Sequence, residues 1–304
     1  MTKGISWDIN KISNLVGKRA IVTGGNSGIG YVTALELLKK GASVTIIARS
    51  KERGEYALAQ LKHQSGSELA SLAHVDLSDQ RSIHSFVDTF TKRYESLDLL
   101  INNAGVMALP KRLETIDGFE MQVGINHLGH FTLTLLLMPL LVRSPASRIV
   151  TVGSLAGRSA RNFQDLMSEH QYKPMQAYSK AKFSNLLFAL ELDRLLINTN
   201  VKSIVVHPGI SATNLYKEKP ILAGKMIQKT LQKFALPASK GAVPSLYAAT
   251  NPKVESGDYY APIGLFEIKP GVGHAKMPIA AENHALAHWL WRTSEELTGV
   301  SFSV

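Results

Sequence analysis

The chain has 304 residues, 45% hydrophobic and 19% charged, which is enough apolar material for a sizeable core and too little charge for a disordered chain. It contains no cysteine, so disulfides, thiolate metal sites and a cysteine nucleophile are excluded. The net charge of +10 is spread along the chain without a long basic run, and no nucleic-acid partner is expected.

Residues 1–18 are polar and mixed and lack the apolar stretch of a signal peptide. A short apolar run at 19–23 reads as the first strand. A glycine-rich turn ends it, and a helix is expected over 29–40, stopped by Gly41. The β-rich run at 43–48 is the second strand, followed by a helix over 51–64 and a weaker strand at 69–75. Ser78 is placed to cap a helix running to Arg93, because a serine oxygen accepts from the free N–H groups of a first turn.

A strand at 97–102, a long helix over 118–142, a strand at 148–153, a helix over 175–198 and a strand at 201–206 continue the alternation. The most apolar stretch, 131–142, is about a dozen residues, short of the roughly 20 of a membrane span. It reads as a buried helix, with no integral membrane anchor and a cytoplasmic location expected. Segment 214–240 interrupts the pattern with Leu222, Met226, Ile227, Leu231 and Phe234 among lysines. It reads as an amphipathic helix. A lid over a lipophilic substrate is favoured for it over a membrane-surface contact or simple packing. A strand near 259–261 and a helix over 280–297 close the chain.

The strands are continuous apolar runs, the pattern of strands buried on both faces of a parallel sheet. Alternation of such strands with helices predicts an α/β fold, a single doubly wound Rossmann-type domain over 1–304. Its sheet would be mostly parallel, with about seven strands and helices on both faces. No linker or internal repeat divides the chain.

Two motifs carry chemistry. The turn Thr23-Gly24-Gly25-Asn26-Ser27-Gly28-Ile29-Gly30 joins the first strand to the first helix. Glycines there allow a pyrophosphate to approach the backbone, and the helix N-terminus offers it free N–H groups. The second strand ends in Ala48-Arg49-Ser50, with no acidic residue to accept from a ribose 2′-OH. Arg49 can instead pair with a 2′-phosphate, helped by Lys51 or Arg53, so NADP(H) is preferred over NAD(H). The second motif is Tyr178-Ser179-Lys180-Ala181-Lys182. Residues four apart share a helix face, and an ammonium beside a phenol favours its phenolate. Lys180 points elsewhere. Ser154 follows the fifth strand, and residues 102–105 follow the fourth, both at the end of the sheet where ligands bind. Asn126, a polar amide in an apolar helix, either faces solvent or serves a local backbone distortion.

These features in this order are similar to the short-chain dehydrogenase/reductase family, over residues 18–209. The stretches 126–131 and 291–302 resemble its retinol-dehydrogenase-like branch, which includes WW-domain oxidoreductases. The resemblance implies that Tyr178 exchanges a proton with the substrate oxygen and Ser154 holds that oxygen. It implies that Lys182 binds the nicotinamide ribose and lowers the Tyr178 pKa, and that Asn126 holds a water leading to solvent. It places Gly24, Asn26, Ser27, Gly28, Ile29 and Gly30 at the phosphates, and Asp76 and Leu77 beside the adenine. Asn103, Ala104 and Gly105 line the cofactor, as do Pro208, Gly209 and Thr213 near the nicotinamide. The branch often carries cysteines near the second strand and the catalytic tyrosine, which are missing here.

His284 and His288 stand four apart but lack a further ligand nearby, and no metal is expected. His127 and His130 carry no mark of an acid/base pair. The expected function is therefore an NADP(H)-dependent oxidoreductase interconverting a carbonyl and an alcohol, on a lipophilic small molecule. The alternative is a non-catalytic NADP-binding sensor or scaffold. A homodimer or homotetramer is expected, with 118–142 and 175–198 as association faces.

Overall fold

The computed structural model describes residues 4–209, 236–264, 267 and 269–303. The first six strands are β1 (Arg19–Thr23), β2 (Ser43–Ala48), β3 (Ala70–His74), β4 (Leu99–Asn102), β5 (Ser147–Val152) and β6 (Val201–Val206). Their apolar runs are used on both sides. Ala20 and Val22, Val44 and Ile46, Leu99 and Ile101, and Val150 and Val152 point into one core. The intervening Ile21, Ile47, Leu100 and Ile149 point into the other. With both faces apolar, neither can be left to water, and helices cover each.

With Tyr259–Ile263 as β7 and Lys269–His274 as β8, the described residues form an eight-stranded sheet, close to the seven expected, in the order β3-β2-β1-β4-β5-β6-β7-β8. The strands up to β7 pair in parallel. β8 is antiparallel to β7 and is the strand that the sequence pattern does not predict. Its sequence, KPGVGH, reads as a turn, and it forms because a proline is tolerated on an edge strand. The chain start completes that edge, with Ile5 N–H bonded to the Val272 carbonyl at 2.8 Å.

On one face lie α1 (Gly28–Lys39), α2 (Lys51–Ser65) and the later helix Val243–Thr250, with Trp7, Ile12 and Leu15 of the N-terminal segment packed among them. On the other lie α3 (Gln80–Arg93), α4 (Met121–Arg143), α5 (Pro174–Leu195) and the C-terminal helix His284–Thr298. α3 starts one residue later than expected. Asp79, not Ser78, caps it by accepting from Arg81 N–H, because Ser78 is drawn into a turn on Asp76.

α4 runs 23 residues, longer than the apolar stretch read from the sequence, and is long and apolar enough to cross a membrane. In this fold 83% of its apolar window is buried. The helix His284–Thr298 covers α4 and α5 within the same chain. Trp291 packs on Phe131 with ring centres 5.1 Å apart and stacks on Phe188 at 5.8 Å. The surfaces of α4 and α5 that carry Phe131 and Phe188 are thus interior to the chain.

Candidate active site

The strand order reverses between β1 and β4, and their carboxyl ends open the crevice where doubly wound sheets bind ligands. Thr23 ends β1 there. Gly24 has φ +64°, the left-handed region, and a Cβ on it would lie 3.1 Å from the Ala104 Cα. A Cβ on Gly30 would lie 2.5 Å from both the Gly24 carbonyl oxygen and the Asn103 side-chain Nδ2. Ser27 precedes α1 but makes no side-chain cap, unlike Ser50, Asp79 and Asn283 at other helix starts. The first-turn residues Gly28, Ile29 and Gly30 line a cleft of about 730 Å³. An uncapped helix start behind a glycine cradle fits a bound pyrophosphate.

Arg49, Ser50 and Arg53 line the same cleft at the end of β2, and Asp76 and Leu77 line it after β3. No carboxylate stands at the β2 end. Asp76 Oδ1 accepts from Ser78 N–H at 2.9 Å and Ser78 O–H at 2.6 Å.

Ser154, Tyr178 and Lys182 also line the cleft. Ser154 opens a short turn after β5, where its oxygen accepts from Ala156 N–H at 3.2 Å. Tyr178 and Lys182 lie one turn apart on α5, both buried. Lys182 Nζ donates to the Val152 carbonyl at 2.8 Å, and burial lowers its pKa to about 8. It therefore remains mostly ammonium near neutral pH. Lys180 is turned away, as expected, onto Ser168 and Asp165.

Asn126 is fully buried, in a wide π-type turn over residues 124–128 of α4. A distortion of the helix is thus present, and such turns recur at functional sites. The amide serves a neighbouring loop. Its Oδ1 accepts from Val106 N–H at 2.8 Å, and its Nδ2 donates to the Val106 carbonyl at 2.9 Å. Gly105 runs past it, so that a Cβ there would lie 2.9 Å from Asn126 Oδ1 and 3.7 Å from Lys182 Nζ.

His130 ties this turn to the glycine turn. Thr23 Oγ1 accepts from Asn103 N–H at 2.8 Å and Ala104 N–H at 2.9 Å. Its own proton is then directed to His130 Nε2, 2.8 Å away, the nearer of two acceptors. That puts the ring proton on Nδ1, which donates to the Asn126 carbonyl at 3.0 Å. Burial holds His130 neutral, with a pKa lowered to about 4.

Pro208 and Gly209 line the cleft beyond β6. His207 fixes that turn, accepting from Gly209 N–H on Nδ1 at 3.0 Å and facing Glu267 from Nε2 at 2.7 Å. Arg158, in the turn after Ser154, pairs with Glu267 at 2.8 Å. Thr213 lies outside the described residues, as does 214–235 of the expected lid. His284 and His288 are exposed, and His288 lies 3.5 Å from Glu191. The sequence motifs do not mark His130, His207 or Glu267 as site residues, nor Gln122, buried on α4 one turn before Asn126. The signal for Gln122 is the pair of amides four apart in an apolar helix.

A family model described as short chain dehydrogenase matches residues 18–221. Retinol dehydrogenase 14 of Homo sapiens is 39% identical over 302 residues, covering 93% of this chain and 87% of that protein. The crystal structure of an uncharacterised protein from Mycobacterium paratuberculosis is 34% identical, with a TM-score of 0.81, and the match covers 99% of this chain and 100% of that one. A short chain dehydrogenase from Burkholderia cenocepacia, solved in complex with NADP, shares the fold with a TM-score of 0.63 and 24% identity, over 81% of this chain and 96% of that one.

Proposed function

The chain belongs to the short-chain dehydrogenase/reductase family, in the branch of the retinol dehydrogenases, and on that premise we propose that it is an NADP(H)-dependent oxidoreductase interconverting a carbonyl and an alcohol on a lipophilic small molecule. The observation that carries the reading is convergence. Ser154, Tyr178 and Lys182 share one cleft with an uncapped helix start and a glycine turn.

A nicotinamide cofactor held at the glycine turn and Lys182 would supply or take up the hydride. In the reducing direction the Tyr178 phenol gives its proton to the substrate oxygen, while the Ser154 hydroxyl donates a hydrogen bond to that oxygen and orients it. The Lys182 ammonium stabilises the phenolate left behind. Asn126 holds a water through which the proton is replaced from solvent. Its side-chain amide is bonded to Val106 on both atoms, so the water uses its remaining bonding capacity or its main-chain carbonyl. Arg49 and Arg53 are the groups that hold a 2′-phosphate. The far wall, with Met107, Leu109, Leu113 and Met175, is apolar and suits a lipophilic substrate.

The test is a Tyr178→Phe variant. It should bind NADPH as the parent does, by quenching of reduced-nicotinamide fluorescence, and lose turnover of an apolar aldehyde by about 100-fold or more. Unchanged turnover would refute the proton-transfer role. NADPH binding without turnover of any carbonyl or alcohol by the parent would favour a sensor or scaffold.

A further inference from the structure

Residues 106–109 form one wall of the cleft, beyond the point where Gly105 passes Lys182. Among the described residues no strand pairs with this wall, so its buried backbone groups need partners from elsewhere. Side chains supply them. Asn126 brackets Val106 on both backbone atoms. One turn earlier on the same helix face, Gln122 Oε1 accepts from Ala108 N–H at 2.6 Å. The Tyr172 hydroxyl donates to the Leu109 carbonyl at 2.7 Å and accepts from Gln122 Nε2 at 3.1 Å. Gln122 Nε2 also donates to the carbonyl of Pro174, the first residue of α5, at 3.1 Å.

The wall these bonds hold is strained. Ala108 has φ +49°, the left-handed region, where the Cβ of an L residue crowds its own backbone. Such a residue persists only where its surroundings over-determine it. Burial raises the Tyr172 pKa to about 12, which keeps its hydroxyl a donor throughout the working range.

We propose that Gln122 and Tyr172 are a clamp that sets the selectivity of the cleft for long apolar substrates. They fix the 106–109 wall and the start of the helix bearing Met175 and Tyr178 in one arrangement. Both are positioning residues, because neither lines the cleft. The inference rests on the oxidoreductase reading of that cleft. Without the clamp Ala108 relaxes out of the left-handed region and carries Met107 and Leu109 with it. A long substrate that lies along the wall loses contacts. A short one that reaches only Ser154 and Tyr178 does not.

The test compares the parent with Tyr172→Phe and Gln122→Met, using NADPH with one short and one long straight-chain aldehyde. Both variants should raise KM for the long aldehyde about tenfold, with kcat within about twofold and the short aldehyde unaffected. NADPH affinity should not move. Equal change for both aldehydes, or no change for either, would overturn the clamp. If Gln122→Met unfolds early in a thermal scan, Tyr172→Phe, which removes one oxygen, decides alone. A parent that turns over no aldehyde counts against the oxidoreductase reading and not against the clamp. The clamp is then tested by equilibrium binding of a short and a long alkanol to the parent and Tyr172→Phe proteins. Weaker binding of the long alkanol alone supports it, and equal loss for both refutes it.

Discussion

Lys180 and Lys182 stand two residues apart on one helix, and only one faces the cleft. Lys180 pairs with the Asp165 carboxylate and donates to the Ser168 hydroxyl. Lys182 donates to a main-chain carbonyl, and its charge stays available to the cleft. Helical spacing makes that difference legible, since position 182 shares a face with Tyr178 and position 180 does not. Arg49 tests the cofactor reading at the same scale. Arg49→Ala should weaken NADPH binding about tenfold and leave NADH nearly unchanged, because only NADPH carries the 2′-phosphate. A fluorescence titration in which both cofactors lose equally would sink the 2′-phosphate role. What local spacing does not reveal is every bond made across the fold. Thr23 and His130 meet over 107 positions, and His207 and Glu267 over 60. Nothing in the neighbourhood of either histidine indicates its partner.

The helix α4 shows how an element departs from its ideal to serve a site. Its wide turn at 124–128 puts Asn126 and the Asn126 carbonyl where a loop and a histidine can use them. The apolar pattern of 118–142 predicts the helix but not the wide turn, because residues 122–135 are buried on every side and leave no polar face whose phase an extra residue would shift. The start of the last helix is similarly hidden. Residues 280–297 read as one helix, whereas Asn283 caps a helix that starts only at His284. The start is set by that side chain, which accepts from Leu286 N–H at 3.0 Å. This helix is held by Trp291, only 4% exposed and in ring contact with Phe131, Phe188 and Phe302. Trp291→Ala should cost about 3–5 kcal/mol and lower the midpoint of thermal unfolding by several degrees. A variant as stable as the parent would mean that the helix is not part of the same cooperative unit.

Across the whole molecule, two buried histidines are kept neutral, His127 and His130. Burial lowers His127 to about 3 and His130 to about 4, and His207 is lowered as well. Above the ordinary histidine pKa of 6.5 both folded and unfolded chains are neutral at these positions, and stability is full. Below it the unfolded chain takes up protons that the folded one refuses, so stability falls between 6.5 and about 4, by up to about 1.4 kcal/mol per pH unit for His127 and as much again for His130. Glu267, lowered to about 2 chiefly by His207, adds a loss at lower pH, below the ordinary 4.5 of a carboxylate. Thermal scans from about pH 7 to pH 5 should show a steadily falling midpoint, and a flat profile would contradict this account. The alternating strands and helices make most of the sheet legible from sequence, while the N-terminal segment and the edge strand β8 are not. Trp7, Ile12 and Leu15 sit in a polar-looking segment and become core only through partners far along the chain, among them Tyr247. The bond between Ile5 and Val272 has a temporal meaning. A ribosome delivers residue 5 first and must add 267 more before its partner exists. The last sheet edge therefore closes late in synthesis, and Trp7 waits for its partner Tyr247 nearly as long. Folding of this kind, dominated at its close by contacts distant in sequence, is slow and prone to aggregation. A nascent chain halted before β8 is the form that a chaperone would have to shelter.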